Sequence, residues 1–158
     1  MPDAPATAID PQHPPRHLLL VDDEESILLS LRRMLRREGY VIHLANGGAE
    51  GLAVLEREPI GVIVTDQRMP GMSGSEFLVK VRERFPDTVR IVLSGYTELN
   101  SVLDAVNRGA IFRFITKPWD DKLLVDALHD AFRLHDIERR NRELTLRIER
   151  MTQGQAAA

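Results

Sequence analysis

The stretch Leu18-Leu19-Leu20-Val21-Asp22-Asp23 joins four consecutive aliphatic residues directly to two acids. Four apolar residues in a row are typical of a strand that is buried on both faces, as in parallel sheets. Two carboxylates at the end of such a strand are costly to desolvate, and a divalent cation is their usual partner. The stretch therefore predicts a parallel sheet with a charged site at one end.

Further aliphatic runs along the chain predict four more strands, separated by amphipathic segments that predict helices. The five predicted strands are 18–22, 40–45, 61–65, 89–93 and 111–116. The last predicted helix begins near Asp120, after Pro118 has ended the fifth strand, and extends to about Met151. This alternation predicts an α/β fold, a doubly wound five-stranded parallel sheet with helices on both faces. The second strand ends in Ala45-Asn46-Gly47, without phosphate or metal chemistry, and is expected at an edge of the sheet.

Composition limits the functions that this chain can have. It has 158 residues, of which 43% are hydrophobic, enough for one core with appendages. The net charge of −3 gives no reason to expect direct binding to nucleic acid or to an anionic membrane. The absence of cysteine excludes disulfides and thiolate metal sites. Without a signal peptide or an apolar stretch of about 20 residues, we expect a cytoplasmic protein.

Composition also divides the chain into segments. Residues 1–15 contain five prolines among small and polar residues, which predicts a disordered leader. We expect one folded domain over 16–133, a helical extension over 134–152 and a short tail over 153–158.

Polar side chains follow four of the five predicted strands. These are Asp22 and Asp23, Asp66, Ser94, and Lys117. In a doubly wound sheet the ligand site lies beyond the carboxyl ends of the strands, so we expect these residues to meet. Three carboxylates repel one another unless a hard cation is bound, and few protein ligands favour Mg²⁺ over Ca²⁺. A phosphoryl group on Asp66 would offer one oxygen each to the metal, Lys117 and Ser94.

Each signal by itself has a simpler explanation. Asp22-Asp23 could cap the next helix, Asp66 could begin a turn, and Lys117 could be a solvated surface residue. Only their shared place at strand ends favours a site. Five histidines show no ligand spacing, and we assign none of them to a metal: His13, His17, His43, His129 and His135.

Four motifs, in this order, resemble the receiver domain of two-component response regulators over roughly residues 18–133. They are Leu20-Val21-Asp22-Asp23-Glu24, Asp66-Gln67-Arg68-Met69-Pro70-Gly71-Met72-Ser73-Gly74, Leu93-Ser94-Gly95 and Thr116-Lys117-Pro118. The resemblance implies a flavodoxin- and CheY-like (βα)5 fold, here with an extended C-terminal helix. It also implies a signalling module that catalyses only its own phosphorylation and dephosphorylation.

The resemblance implies roles for the site residues. Asp66 accepts phosphate from a histidine kinase or a phosphotransfer protein. Asp22 and Asp23 hold Mg²⁺ together with Asp66 and the backbone carbonyl of Arg68, and Lys117 pairs with the phosphoryl group.

The resemblance also implies a switch. Ser94 moves to bind the phosphoryl group, and Phe114, which we expect to be buried in the core, changes rotamer with it. Arg68 and Tyr96 lie two residues beyond Asp66 and Ser94, at positions that influence the lifetime of the phosphoryl group in this family. Both are bulky, and we expect them to shield Asp66 from water.

The end of the chain carries an a/d heptad pattern, which predicts a parallel two-stranded coiled coil. Its residues are Leu134, Ile137, Asn141, Leu144, Ile148 and Met151. Asn141 falls at an a position, where asparagine favours a parallel dimer, and we expect a homodimer. A solitary charged helix remains the alternative, because fewer than three heptads are marginal in isolation.

Three other functions fit these residues less well. A metal-dependent phosphatase with an aspartate nucleophile generally needs a second acid two residues later, where this chain has Arg68. A flavodoxin-like carrier needs a Ser-, Thr- and Gly-rich phosphate loop, where this chain has Asp22-Asp23-Glu24-Glu25. A pseudo-receiver that only binds partners is disfavoured because every site residue is present.

The sequence offers two candidates for the output domain that this receiver would control. Residues 111–120 resemble receivers joined to cyclic-di-GMP phosphodiesterase domains or to hydrogenase-type transcription activators. The chain is expected to be either part of a longer regulator or a free-standing receiver. The cognate kinase is not identified by the sequence.

Overall fold

A computed structural model describes residues 14–156 of the chain, with side chains through Gly154. Within them the strands are β1 His17–Val21, β2 Val41–Ala45, β3 Val62–Asp66, β4 Val89–Ser94 and β5 Arg113–Thr116. The helices are α1 Glu25–Leu35, α2 Gly48–Arg57, α3 Gly74–Arg84, α4 Leu99–Asn107 and α5 Asp121–Ala156. Short 3-10 helices follow α1 (Arg36–Glu38) and precede α4 (Tyr96–Glu98). Strands and helices alternate as predicted; the strand boundaries move by one or two residues, and α5 extends five residues beyond its predicted end near Met151.

All neighbouring strands are parallel, in the order β2-β1-β3-β4-β5. The predicted doubly wound α/β fold is confirmed, and β2 lies at an edge as expected. The chain runs outward from β1 first to β2 and then, through β3, to β4 and β5. The order therefore reverses between β1 and β3, which is where such folds bind their ligands.

Alternate residues of each strand supply two separate cores, one on each face of the sheet. Leu18 and Leu20 point to a cluster with α1 and α5, while Leu19 and Val21 point to a cluster with α2, α3 and α4. These four side chains are at most 2% exposed. The aliphatic run at the start of β1 is therefore buried on both faces, as its composition predicts.

The last helix, α5, has a buried part and an exposed part. Leu124, Leu128 and Phe132 pack in the first core, whereas side chains from residue 140 through residue 154 are exposed. The helix is continuous across residue 133, so the expected border between domain and extension is not a break in the helix. It also continues through Ala156, so residues 153–156, expected as tail, are helical.

Part of the predicted organisation falls beyond the described residues. The expected disordered leader, residues 1–15, lies outside them except for Pro14 and Pro15, and so do residues 157–158 of the tail. Among the helices within residues 14–156, none has both the length and the hydrophobicity that crossing a membrane requires.

We expect Phe77→Ala to lower the free energy of unfolding by about 3–5 kcal/mol, as measured by urea denaturation. Phe77 is fully buried on α3, and its ring packs so closely on α2 that a Cβ at Gly51 would come within 2.8 Å of it. Truncation should therefore leave a cavity between the two helices. The control is Leu123→Ala on α5, a side chain 62% exposed, which should change stability by about 0.5 kcal/mol or less. Equal losses for both variants would contradict this packing.

Candidate functional site

The carboxyl ends of β1 and β3 bring three carboxylates together. Asp22 and Asp23 directly follow β1, and Asp66 is the last residue of β3. One carboxylate oxygen from each lies within 4.8 Å of the others. The parallel register places Val21 opposite Thr65, which brings the two strand ends level. The strand-end argument from sequence thus places these three residues together, as the structure does.

Lys117 reaches the same place from the opposite edge strand. It follows β5, and its Nζ lies 2.6 Å from Oδ1 of Asp66. Its backbone N–H donates a hydrogen bond of 2.9 Å to the carbonyl of Ser94, which fixes it to the end of β4. The peptide bond between Lys117 and Pro118 is cis. The long lysine side chain therefore crosses β4 to pair with Asp66.

The carboxylates differ in their surroundings. Asp22 is 1% exposed and Asp66 6%, whereas Asp23 is exposed. Burial raises the pKa of Asp22 to about 6. A hydrogen bond from the Glu24 backbone N–H opposes this shift, as does Lys117, whereas Asp66 and Asp23 add to it. The negative charge of Asp22 is therefore poorly stabilised in this site.

One oxygen of Asp22 indicates which kind of ligand would offset the cost of burying this carboxylate. Oδ1 accepts the bond of 2.9 Å from Glu24 N, but Oδ2 is buried without a hydrogen-bond partner among the described residues. A buried acceptor without a partner is unfavourable. Asp22, Asp23 and Asp66 together offer a hard, all-oxygen donor set that suits Mg²⁺. The residues present therefore fit the cation that the resemblance implies.

The loop after β3 is held by a pair of side chains that the sequence analysis did not single out. Gln67 is 4% exposed; its Nε2 donates to Oγ of Ser75 at 2.9 Å, and its Oε1 accepts from the N–H of Ser75 at 2.8 Å. The Gly74 N–H donates to the Gln67 carbonyl at 2.9 Å. An amide directly after a buried strand was the only sequence signal for this clamp. It fixes the backbone that carries Asp66.

Gly74 is needed in this loop because of a close approach between backbones. A Cβ at this position would lie 2.2 Å from the backbone carbonyl oxygen of Asp66, which cannot move aside without displacing β3. Any side chain here would therefore displace the backbone at Asp66.

Ser94 and Phe114 lie near the site but outside its ionic centre. Ser94 is fully buried at the end of β4, and its hydroxyl donates to the Gly95 carbonyl at 3.0 Å. Phe114 is 37% exposed, so the expectation that it belongs to the core is wrong. It lies on β5, an edge strand with a neighbour on one side only, and burial there is correspondingly incomplete.

Arg68 and Tyr96 extend toward solvent. The Arg68 side chain is 86% exposed and its guanidinium lies 4.0 Å from Glu98, while Tyr96 is 74% exposed. Side chains this open are not packed over Asp66. The expectation that they shield it therefore gains no support from this conformation.

The chain is similar in sequence to transcriptional regulatory proteins. The chain is 45% identical over 114 residues to the hydrogenase transcriptional regulatory protein HoxA of Cupriavidus necator, a match that covers 72% of this chain and 23% of HoxA. It is 38% identical over 119 residues to the transcriptional regulatory protein GlrR of Escherichia coli, covering 75% of this chain and 27% of GlrR. The chain thus spans about a quarter of the length of these relatives.

Solved structures show the same fold. The signal receiver domain of an HD domain-containing protein from Pseudomonas fluorescens is 32% identical, with a TM-score of 0.74 over 77% of this chain and 98% of that one. Residues 18–129 match the family described as the response regulator receiver domain. With its acidic strand ends and Lys117 in place around Asp66, this chain belongs to the receiver domains of response regulators.

Proposed function

We propose that Asp66 accepts a phosphoryl group from a histidine kinase or a phosphotransfer protein, and that the phosphorylated chain is the active state of a switch. The observation that carries the proposal is the contact of 2.6 Å between Lys117 Nζ and Asp66 Oδ1. Asp22 contributes an oxygen to the same cluster, and its buried Oδ2 has no hydrogen-bond partner among the described residues. The Lys117 ammonium already supplies one positive charge beside Asp66. The neighbouring carboxylates favour the binding of a second.

The chemistry requires little beyond alignment and charge neutralisation. A carboxylate oxygen of Asp66 attacks the phosphorus of a phosphohistidine. The P–N bond breaks, and the leaving imidazole nitrogen takes up a proton. Lys117 neutralises charge on the acyl phosphate, and Ser94 hydrogen-bonds one of its oxygens after a rotation away from the Gly95 carbonyl.

Asp22, Asp23, Asp66 and the backbone carbonyl of Arg68 would hold Mg²⁺. When bound, the ion neutralises negative charge on the carboxylates and on the phosphoryl oxygens. Asp22 suits this role better than that of nucleophile, because one of its oxygens is held by the Glu24 N–H and the other is buried.

Other functions have less support. A phosphatase that uses Asp66 as nucleophile lacks the acid two residues later, since Arg68 occupies that position. The relatives are regulators, and no enzyme family is indicated. Any catalysis that we assign is therefore limited to the chain's own phosphorylation and dephosphorylation. The similarity to HoxA favours transcriptional regulation, and not phosphodiesterase activity, as the output of the whole protein.

We also assign dimer formation to the exposed part of α5. Four seam residues are about half exposed or more: Ile137 50%, Leu144 52%, Ile148 62% and Met151 61%. Leu134 instead packs against its own core, so the part of the seam that is open to a partner begins at Ile137. Asn141 lies between these apolar positions and would select a parallel pair.

The acceptor assignment predicts that incubation with acetyl phosphate and Mg²⁺ adds one phosphoryl group, measured by intact-protein mass spectrometry. Asp66→Asn should abolish the addition, because an amide cannot form the acyl phosphate. The control is Asp126→Asn, an exposed carboxylate on α5 that should leave labelling unchanged. Undiminished labelling of Asp66→Asn would contradict the assignment.

The raised pKa of Asp22 predicts an unusual pH dependence. The folded chain binds this proton more tightly than the unfolded chain, so Asp22 destabilises the metal-free fold increasingly as pH rises from about 4 through about 6. Asp22→Asn should therefore stabilise the metal-free protein at pH 7 by about 1–3 kcal/mol, as measured by urea denaturation with a chelator. The same variant should lose stabilisation by Mg²⁺. A metal-free variant less stable than the wild type at pH 7 would contradict this.

The dimer assignment predicts that Ile148→Lys shifts the protein toward monomer, measured by gel filtration with light scattering. A charge at an a position cannot be buried between two helices. Leu146→Lys is the matched control, because Leu146 is 52% exposed but lies off the seam. Asn141→Leu should instead permit other oligomers, since it removes the residue that selects a pair. Equal behaviour of both lysine variants would contradict the seam.

A further inference from the structure

Two histidines and a glutamate meet at a second place in the fold. His17 is the first residue of β1, His43 lies in the middle of β2, and Glu58 follows α2. In the register of the two strands, His17 is opposite Val41 and Leu19 is opposite His43. The two histidines are therefore diagonal neighbours on one face of the sheet, the face that α2 covers.

The ligand atoms of these three residues converge. Nδ1 of His17 lies 3.0 Å from Nε2 of His43, and the ring planes are 15° apart with centroids 5.3 Å apart, so the two rings face each other edge to edge. A carboxylate oxygen of Glu58 completes a set in which all three atoms lie within 4.8 Å of one another. All three residues are partly buried, so water can still reach the cluster.

We propose that His17, His43 and Glu58 bind a divalent transition metal of the zinc class, at a site separate from the acidic cluster around Asp66. Imidazole nitrogens select zinc-like ions over Mg²⁺, and two histidines with one carboxylate leave a position open for water. Bonds of about 2.0–2.1 Å in a tetrahedron place neighbouring ligand atoms about 3.4 Å apart. The nitrogens are already near that separation. To bind one ion, each ring must turn so that its lone pair points to a shared position, and the Glu58 carboxylate must move toward the same position.

The site is well separated from the phosphoacceptor. His17 begins β1 and Asp22 follows its other end, so the two sites lie about 16 Å apart along the strand. A bound ion would join the edge strand β2 to β1 and to the connection between α2 and β3. It would stabilise the fold by mass action, without taking part in phosphoryl chemistry.

A hydrogen bond between the two rings is the competing explanation for their contact. In that arrangement one facing nitrogen carries a proton and the other accepts it. A metal instead requires both facing nitrogens to be free, so one imidazole must move its proton to its other nitrogen. Arg57, near His43, opposes a further cation, while the charge of Glu58 favours one.

The test is a calorimetric titration of Zn²⁺ into the full chain. The solution contains excess Mg²⁺, which occupies the acidic cluster. We expect one equivalent to bind and to raise the thermal midpoint. His17→Gln and His43→Gln should each weaken binding at least about 10–100-fold, the range known for the loss of a residue that merely supports a ligand. Glu58→Gln, outside every strand and helix, tests the same site with little risk to folding. Co²⁺ should give the visible absorption of a four-coordinate site in the wild type and lose it in these variants.

His129→Gln is the matched control. His129 Nε2 lies 2.9 Å from a carboxylate oxygen of Glu38, and among the described residues no third metal-ligating side chain joins this pair. This variant should bind Zn²⁺ as the wild type does. Zn²⁺ affinity unchanged in the His17, His43 and Glu58 variants would overturn the proposal, as would an equal loss in His129→Gln. The proposal would also be overturned if no Zn²⁺ bound in the presence of Mg²⁺.

Discussion

Mutual repulsion among three carboxylates is the constraint around which this molecule is organised. Asp22 and Asp66 are almost fully buried, and Asp23 stands beside them. Burying like charges together costs stability, and only opposite charge within a few ångströms offsets that cost. Lys117 supplies one such charge, at 2.6 Å from Asp66. The buried charge of Asp22 that remains is the physical ground on which we propose a hard cation here, and with it the phosphorylation of Asp66.

The sheet carries this site because its two cores fix every strand in register. Since alternate residues of β1 enter opposite cores, a slip of one residue would exchange both sets of side chains. Register then sets the strand ends level, with Val21 opposite Thr65 and Ser94 opposite Thr116. The clamp between Gln67 and Ser75 and the close approach of Gly74 fix the loop that follows. Stability and function therefore depend on the same alignment of parallel strands.

The long α5 belongs both to the core of the domain and to an exposed apolar surface. Its first turns complete a core, and the same helix continues into an exposed apolar seam without interruption. An ion pair between Arg16 and Asp136, 2.9 Å apart, holds the helix against the start of β1, where its core contacts end. Because a rigid helix moves as a unit, a change at β5 or at the start of α5 would reach the seam directly.

The fold and most of the ionic site could be predicted from the order of residues alone. Alternating aliphatic and amphipathic segments have few solutions other than a doubly wound sheet, and parallel strands bring their carboxyl ends to one edge. Asp22, Asp23, Asp66 and Lys117 could therefore be placed together without coordinates. The exposure of Phe114, Arg68 and Tyr96 could not be predicted in this way, because it depends on the edges of the sheet and on how the loops lie in the folded chain. The tertiary structure alone revealed the meeting of His17, His43 and Glu58, since cross-strand register and the path of the chain after α2, not sequence spacing, bring those three residues together.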